Sequence, residues 1–248
     1  MYEISICHLY PDLLNLYGDR GNIIALKKRC EWRGINVNIS DVSVGDKFDS
    51  ELYDIVFLGG GQNYEQEIVL KDLMDQKKAE TKNAIESDKV FLAICGGFQL
   101  LGSHLKTPEG KETQFLDAID FWTLDSKERM FGNLVFECDF LKKDEFDGRV
   151  VGFENHSGKT YLGTNVKPLG TVIKGYGNNG EDGSEGAIYK NVYCSYSHGS
   201  LLPRNPKLAD HLISLSLKQK YSYFVSLSCL NDHLEVLANQ SMINKLMG

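Results

Sequence analysis

Several features are missing from this chain, and each absence closes off a class of protein. No two of its six cysteines (Cys7, Cys30, Cys95, Cys138, Cys194, Cys229) are separated by only two residues, so the usual zinc and redox pair spacings are absent. The start, Met1-Tyr2-Glu3-Ile4-Ser5-Ile6-Cys7, carries no basic n-region and no long apolar h-region, so it reads as a first strand and not as a signal peptide. No apolar run approaches the roughly 18 residues that a bilayer-spanning helix needs. Basic residues are the minority, 27 against 34 acidic, for a formal net charge of -7. Nothing therefore suggests a general binder of nucleic acid or anionic membrane. There is no internal repeat, low-complexity segment or interdomain linker. These absences predict a cytoplasmic protein with one domain over residues 1–248. In a chain of 248 residues a core can form without disulfide staples. Five of the cysteines are expected to be buried or half-buried thiols and one to be chemical.

Apolar periodicity supplies the architecture. Glu3 to Leu9 reads as a strand, Asn22 to Arg33 as a helix stopped by Gly34, and Val37 to Ser40 as a short strand. Tyr53 to Leu58 is an apolar strand ending in Gly59-Gly60-Gly61, and a helix is expected over much of Glu65 to Glu86. The strand Val90 to Ile94 then runs directly into Cys95-Gly96-Gly97-Phe98-Gln99-Leu100-Leu101-Gly102. Strands alternating with helices predict an α/β fold with a mostly parallel sheet flanked by helices. After about Gly110 the pattern shifts to strands: Phe121 to Leu124, Leu134 to Phe140, Val150 to Phe153, Val172 to Lys174 and Val192 to Tyr196. Gly175 to Gly183 is a polar, Gly-rich loop, and a last helix fits Pro206 to Lys220.

The chemistry is expected at Cys95. An isolated cysteine is usually a small core residue. Here it stands where a buried strand becomes a helix and two glycines follow, the sulfur counterpart of a serine nucleophile elbow. A helix N-terminus favours thiolate, and the Gly96 N–H is placed to face a developing oxyanion. A second donor is expected from Gly59-Gly60-Gly61, with Gly60 as the candidate, although plain βα turns are the commoner use of glycine. Of the six histidines, His198 follows a strand and precedes Gly199, again at a strand's carboxyl end, where open α/β sheets gather ligands. His8 ends the first strand, His211 lies near the solvent face of a helix, and His233 falls in a tail segment. Arg129 could hold a carboxylate through two parallel hydrogen bonds. Gly152-Phe153-Glu154-Asn155-His156-Ser157-Gly158-Lys159-Thr160 imitates a P-loop but has five residues between its glycines where four are required, and no helix signal follows. No nucleotide or metal site is read in this chain.

Taken together, these motifs resemble a known family. Cys95 to Gly102 is similar to the nucleophile motif of class I glutamine amidotransferases. Its combination with Tyr196-Ser197-His198-Gly199 and with Gly152 to Thr160 resembles the cobyric acid synthase type of that class. Leu14 to Asn22 and Tyr176-Gly177-Asn178-Asn179 resemble, within that type, the glutaminase subunits of lipid II isoglutaminyl synthases. The similarity runs from about residue 1 to about residue 220. It implies a flavodoxin-like fold and hydrolysis of glutamine to glutamate and ammonia, with Cys95 as nucleophile, His198 as catalytic histidine and Arg129 as substrate-binding arginine. It also implies a MurT-like Mur ligase partner, which would use ATP and Mg to activate the D-glutamate α-carboxylate of lipid II near the inner membrane face. No cofactor is implied for this chain itself. Many class I members have Gly where Ala93 stands. The usual triad has Glu two residues after the histidine, where this chain has Ser200, an absence shared by cobyric-acid-synthase-type relatives. The acid that orients His198 is then expected either from Glu154 or from the partner subunit. The alternatives are a glutaminase for another synthetase of cobyrinate type, a stand-alone cysteine hydrolase, and a non-catalytic scaffolding subunit.

Overall fold

The computed structural model describes residues 2–143, 146–223 and 225–248. In chain order the elements are β1 (Glu3–Leu9), α1 (Arg20–Glu31), β2 (Asn36–Val42), β3 (Ile55–Leu58), α2 (Asn63–Asp72), α3 (Lys78–Glu86), β4 (Val90–Ile94), α4 (Gly96–Leu101), β5 (His104–Lys106), β6 (Glu112–Gln114), β7 (Phe121–Leu124), β8 (Met130–Glu137), β9 (Arg149–His156), β10 (Lys159–Leu162), β11 (Gly170–Lys174), β12 (Ser184–Glu185), β13 (Ala187–Tyr189), β14 (Val192–Ser195), α5 (Leu201–Arg204), α6 (Pro206–Tyr221) and α7 (His233–Met247).

The central sheet has the order β13-β14-β4-β3-β1-β2. Every neighbouring pair is parallel except the β13–β14 edge. Every residue of β3, β4 and β14 is buried. This is what continuous apolar runs covered on both faces produce. Fully burying a side chain such as Phe57, Phe91 or Leu92 contributes about 1.5–3 kcal/mol. The fold is thus the expected α/β arrangement with a mostly parallel sheet and helices around it. The second half adds two four-stranded sheets, β10-β7-β5-β6 and β12-β11-β8-β9.

Three local expectations change. The helix expected over Glu65 to Glu86 is interrupted by a π turn at Leu73–Lys77. Lys77 is buried there and pairs with Asp72, which also accepts from the Tyr10 hydroxyl at 2.8 Å and the Gly45 amide at 2.9 Å. Removing one partner of a buried pair costs about 3–5 kcal/mol, enough to hold a local helix irregularity. The strand expected at Leu134 to Phe140 begins earlier, at Met130, and ends at Glu137. A final helix, α7, lies beyond the elements that periodicity predicts. Among its residues Asn239 and Ile243 are buried while Leu234 and Leu237 are exposed, so its apolar residues form no clean stripe for periodicity to detect.

Candidate active site

Four consecutive strands of the central sheet deliver the site at their carboxyl ends. Cys95 follows β4, Gly59 to Gly61 follow β3, His198 stands shortly after β14, and the loop after β1 brings Asp19. Backbone hydrogen bonds fix these levels: the Cys95 N–H donates to the Ser195 carbonyl at the end of β14 at 2.8 Å, and the His198 N–H donates to the Phe153 carbonyl, within β9 of another sheet, at 2.6 Å. Cys95 has φ 49° and ψ −103°, a conformation that a non-glycine residue holds only when its surroundings impose it. The cause is next door. A Cβ on Gly97 would lie 2.8 Å from the Gly59 carbonyl oxygen and from Leu58. Helix and strand therefore approach too closely for a side chain, and the turn between them is sharp.

Gly60 marks the centre. A Cβ there would lie 2.5 Å from His198 Cε1, 3.2 Å from Asp19 Oδ2 and 3.4 Å from Cys95 Cβ. The three side chains thus converge around one point. His198 and Asp19 are wholly buried, with Nδ1 and Oδ2 3.4 Å apart. In this resting geometry neither imidazole nitrogen has a well-formed hydrogen bond, as is common before substrate tightens a site. Burial by itself opposes a charged imidazole. The Cys95 sulfur and the Asp19 carboxylate beside it outweigh burial and push the His198 pKa up to about 10.

The acid beside His198 comes from within the chain, at a position that spacing does not single out. Glu154 is not that acid: it accepts from the Tyr176 and Gly177 amides at 2.8 and 2.9 Å, and a different imidazole, His156, faces it at 4.0 Å. Ser200, at the usual glutamate position, instead donates to the Gly18 carbonyl at 2.6 Å. It holds the loop that carries Asp19. The Gly60 amide also departs from expectation, because its N–H donates to Asp19 Oδ2 at 2.8 Å and is not available to an oxyanion. Gly96 keeps its place as the first residue of α4, where an N–H has no intrahelical acceptor.

A cleft of about 710 Å³ opens over Cys95, with Gly61, Gln66, Gln99, Arg129 and His156 among its lining. Arg129 reaches it from an exposed position, with its Nε donating to Asn155 Oδ1. His156, within the Gly152 to Thr160 motif, has a packing role. It stacks on Tyr196 with centroids 3.7 Å apart and pairs through Nδ1 with the Gly158 carbonyl at 2.8 Å. Burial pushes its pKa down to about 4. His211 is less exposed than expected and bonds through Nε2 to the Tyr193 hydroxyl at 2.7 Å. His233, expected in a tail segment, opens α7.

Residues 5–206 match the CobB/CobQ-like glutamine amidotransferase domain. The chain belongs to that family. Among its relatives is a protein of Streptococcus pneumoniae named lipid II isoglutaminyl synthase (glutamine-hydrolyzing) subunit GatD. It is 44% identical over 94% of this chain and 88% of its own length. The protein of the same name from Staphylococcus aureus is 40% identical over 99% of this chain and 97% of its own. A cobyric acid synthase of Clostridium botulinum is 32% identical over 68% of this chain but only 35% of its own. A glutamine amidotransferase structure from Thermotoga maritima has a TM-score of 0.54 at 15% identity, covering 99% of this chain and 94% of that one. At that identity it shows the fold alone. Against the family, the convergence of Cys95, His198 and Asp19 is the candidate amidotransferase site. Among the described residues no helix is long and apolar enough to cross a membrane.

Proposed function

We propose that this chain is the glutaminase subunit of a lipid II isoglutaminyl synthase. The observation that carries the reading is the convergence of Cys95, His198 and Asp19 around Gly60. The two GatD relatives, matched over nearly their whole lengths, support the choice of pathway. The cobyric acid synthase match is lower in identity, 32% over 68% of this chain against 44% and 40% over nearly all of it, which disfavours the cobyrinate alternative.

In this mechanism the Cys95 thiolate adds to the side-chain amide carbon of glutamine, forming a tetrahedral oxyanion. His198 gives its proton to the leaving nitrogen as the C–N bond breaks, releasing ammonia and leaving a thioester. His198 then takes a proton from water, which adds to the thioester carbon, and glutamate leaves as the sulfur regains its charge. Asp19 holds His198 through Nδ1 and favours its charged form. The Gly96 N–H faces the oxyanion. Gly61, which lines the cleft with Cys95, supplies the second donor in place of Gly60. Arg129 grips the α-carboxylate of free glutamine. A MurT-like Mur ligase partner uses ATP and Mg to activate the D-glutamate carboxylate of lipid II and consumes the ammonia at the inner membrane face.

The test is reconstitution with a Mur-ligase-like subunit, ATP, Mg and lipid II, using glutamine labelled with ¹⁵N in its side-chain amide. Label should appear in the D-isoglutamine of the product. Glutamine hydrolysis without transfer of label to lipid II would overturn the proposed pathway.

A further inference from the structure

A chain of contacts leads from the proposed substrate clamp to the catalytic histidine, and no step of the glutaminase mechanism uses it. It begins at Arg129, whose Nε donates to Asn155 Oδ1. Its two terminal nitrogens have no hydrogen-bond or ion-pair partner among the described residues. A guanidinium held at Nε has its side-on edge engaged and keeps its end-on pair of N–H groups for a carboxylate. Asn155 is 8% exposed and stands opposite Phe131 in the β8–β9 pairing, so its position is fixed relative to Arg129 by strand register. Because guanidinium only donates, the Asn155 carbonyl must face it and the amide nitrogen must face the other way. That nitrogen donates to the Tyr17 hydroxyl.

Tyr17 stands over the catalytic imidazole. Its ring meets His198 edge to face at 5.0 Å and meets Phe153 at 6.0 Å. Its backbone is left-handed, with φ 55° and ψ 23°, a conformation that costs an L side chain about 1–3 kcal/mol and persists where surroundings impose it. The loop is pinned at several points: Leu16 N–H to the Gly60 carbonyl at 2.9 Å, Arg20 N–H to Asn15 Oδ1 at 2.8 Å, and Ser200 to Gly18. Two residues further on the same loop places Asp19 beside Nδ1. One short segment therefore supplies both the acid at the imidazole edge and an aromatic cover on the imidazole.

We propose that Asn155 and Tyr17 are positioning residues, which hold the terminal nitrogens of Arg129 toward the α-carboxylate of glutamine and tie that clamp to the loop that sets His198. The proposal rests on the glutaminase reading. It means that the glutamine clamp is anchored by hydrogen bonds on the same loop that brings Asp19 to His198. A ligand lacking the α-carboxylate should gain nothing from it.

The experiment compares Asn155→Leu and Tyr17→Phe with wild type in the full chain, alone and in the presence of the ligase subunit. Asn155→Leu keeps the branched outline of the side chain without its donor and acceptor. It should raise KM for glutamine about tenfold, the scale of one lost hydrogen bond to a charged group, with kcat changed much less. Tyr17→Phe keeps the ring over His198 and should raise KM by a smaller factor. In an Arg129→Lys background, Asn155→Leu should add little, because it acts through Arg129. Alkylation of Cys95 by iodoacetamide, which has no α-carboxylate, should proceed at the wild-type rate in both single variants and shows that the site is folded. Unchanged KM in Asn155→Leu, or full additivity with Arg129→Lys, would overturn the positioning role alone. Failure of wild type to release glutamate under either condition would overturn the glutaminase reading beneath it.

Discussion

His198 and His156 are both almost completely buried and both belong to the neighbourhood of the cleft, yet their imidazoles are driven in opposite directions. His156 has a neutral carbonyl on Nδ1 and an aromatic ring against its face, so desolvation decides and its pKa falls to about 4. His198 suffers the same desolvation, but a sulfur and a carboxylate lie beside it and its pKa rises to about 10. Glu154 lies 4.0 Å from His156 and does not reverse the outcome. Its own carboxyl is pushed up to about 7 by burial, which weakens its hold on a charge that would favour an imidazolium. The comparison teaches that negative groups placed beside a buried imidazole favour its charged form, and that burial without them leaves the imidazole neutral.

The largest effect should come from exchanging the two histidines' fates. His198→Asn should lower glutamate release by on the order of 10²–10⁴-fold, the range for losing a positioned base. His156→Asn should lower kcat by less than about tenfold. Comparable losses in kcat would break the distinction. Next in size is Asp19→Asn, which keeps shape and removes the charge. It should lower kcat by on the order of 10²-fold, the lower end of what a positioned proton-transfer group contributes, and move the His198 titration down from about 10, observed by NMR of labelled imidazole. An unmoved titration would mean that Asp19 does not set His198. The Gly60 N–H would lose its charged acceptor in the same variant.

The smallest effect concerns stability on the acidic side of the molecule. Glu185 is wholly buried, accepts from Ser195 at 2.6 Å, and has a pKa pushed up to about 7 by desolvation and then by Glu154. A carboxyl raised in the fold above its ordinary value of 4.5 leaves stability intact below about 4.5. Stability is then lost progressively as pH rises through about 7, because the unfolded chain releases its proton first. Between those limits the wild type should lose on the order of 2 kcal/mol relative to Glu185→Gln. Urea unfolding of both proteins at pH 5 and pH 7.5 measures the difference, and parallel pH curves would contradict it.

The site is partly legible in the sequence because some of its residues obey local rules. Cys95 follows a buried strand and is itself followed by two glycines, and His198 stands shortly after another strand, so element boundaries point to both. Asp19 obeys no such rule. It lies in a short loop after β1, and what brings it to His198 is the sheet order, β14-β4-β3-β1, which periodicity does not encode. Its one signal in the sequence is the Leu14 to Asn22 stretch, whose resemblance to the glutaminase subunits includes this acid without giving it a role. Gly60 misleads for a related reason: a glycine beside a nucleophile suggests an oxyanion donor, but hydrogen-bond competition from a distant carboxylate engages its amide. The parallel half of the fold follows from continuous apolar strands. In the second half, β5, β6 and β12 are only three or two residues long. Strands so short are specified by their partners more than by their own pattern.

The central claim is that Cys95 is the nucleophile of a site whose base and acid both lie in this chain. It is tested most directly by incubating the isolated protein with glutamine and with a glutamine-mimicking electrophile, measuring glutamate release and mapping the adduct by mass spectrometry. The account predicts measurable glutamate release without any partner and covalent addition confined to the peptide containing Cys95, with both lost in Cys95→Ala. Glutamate release at the wild-type rate by Cys95→Ala, or labelling at Cys7 or Cys194 instead, would contradict it.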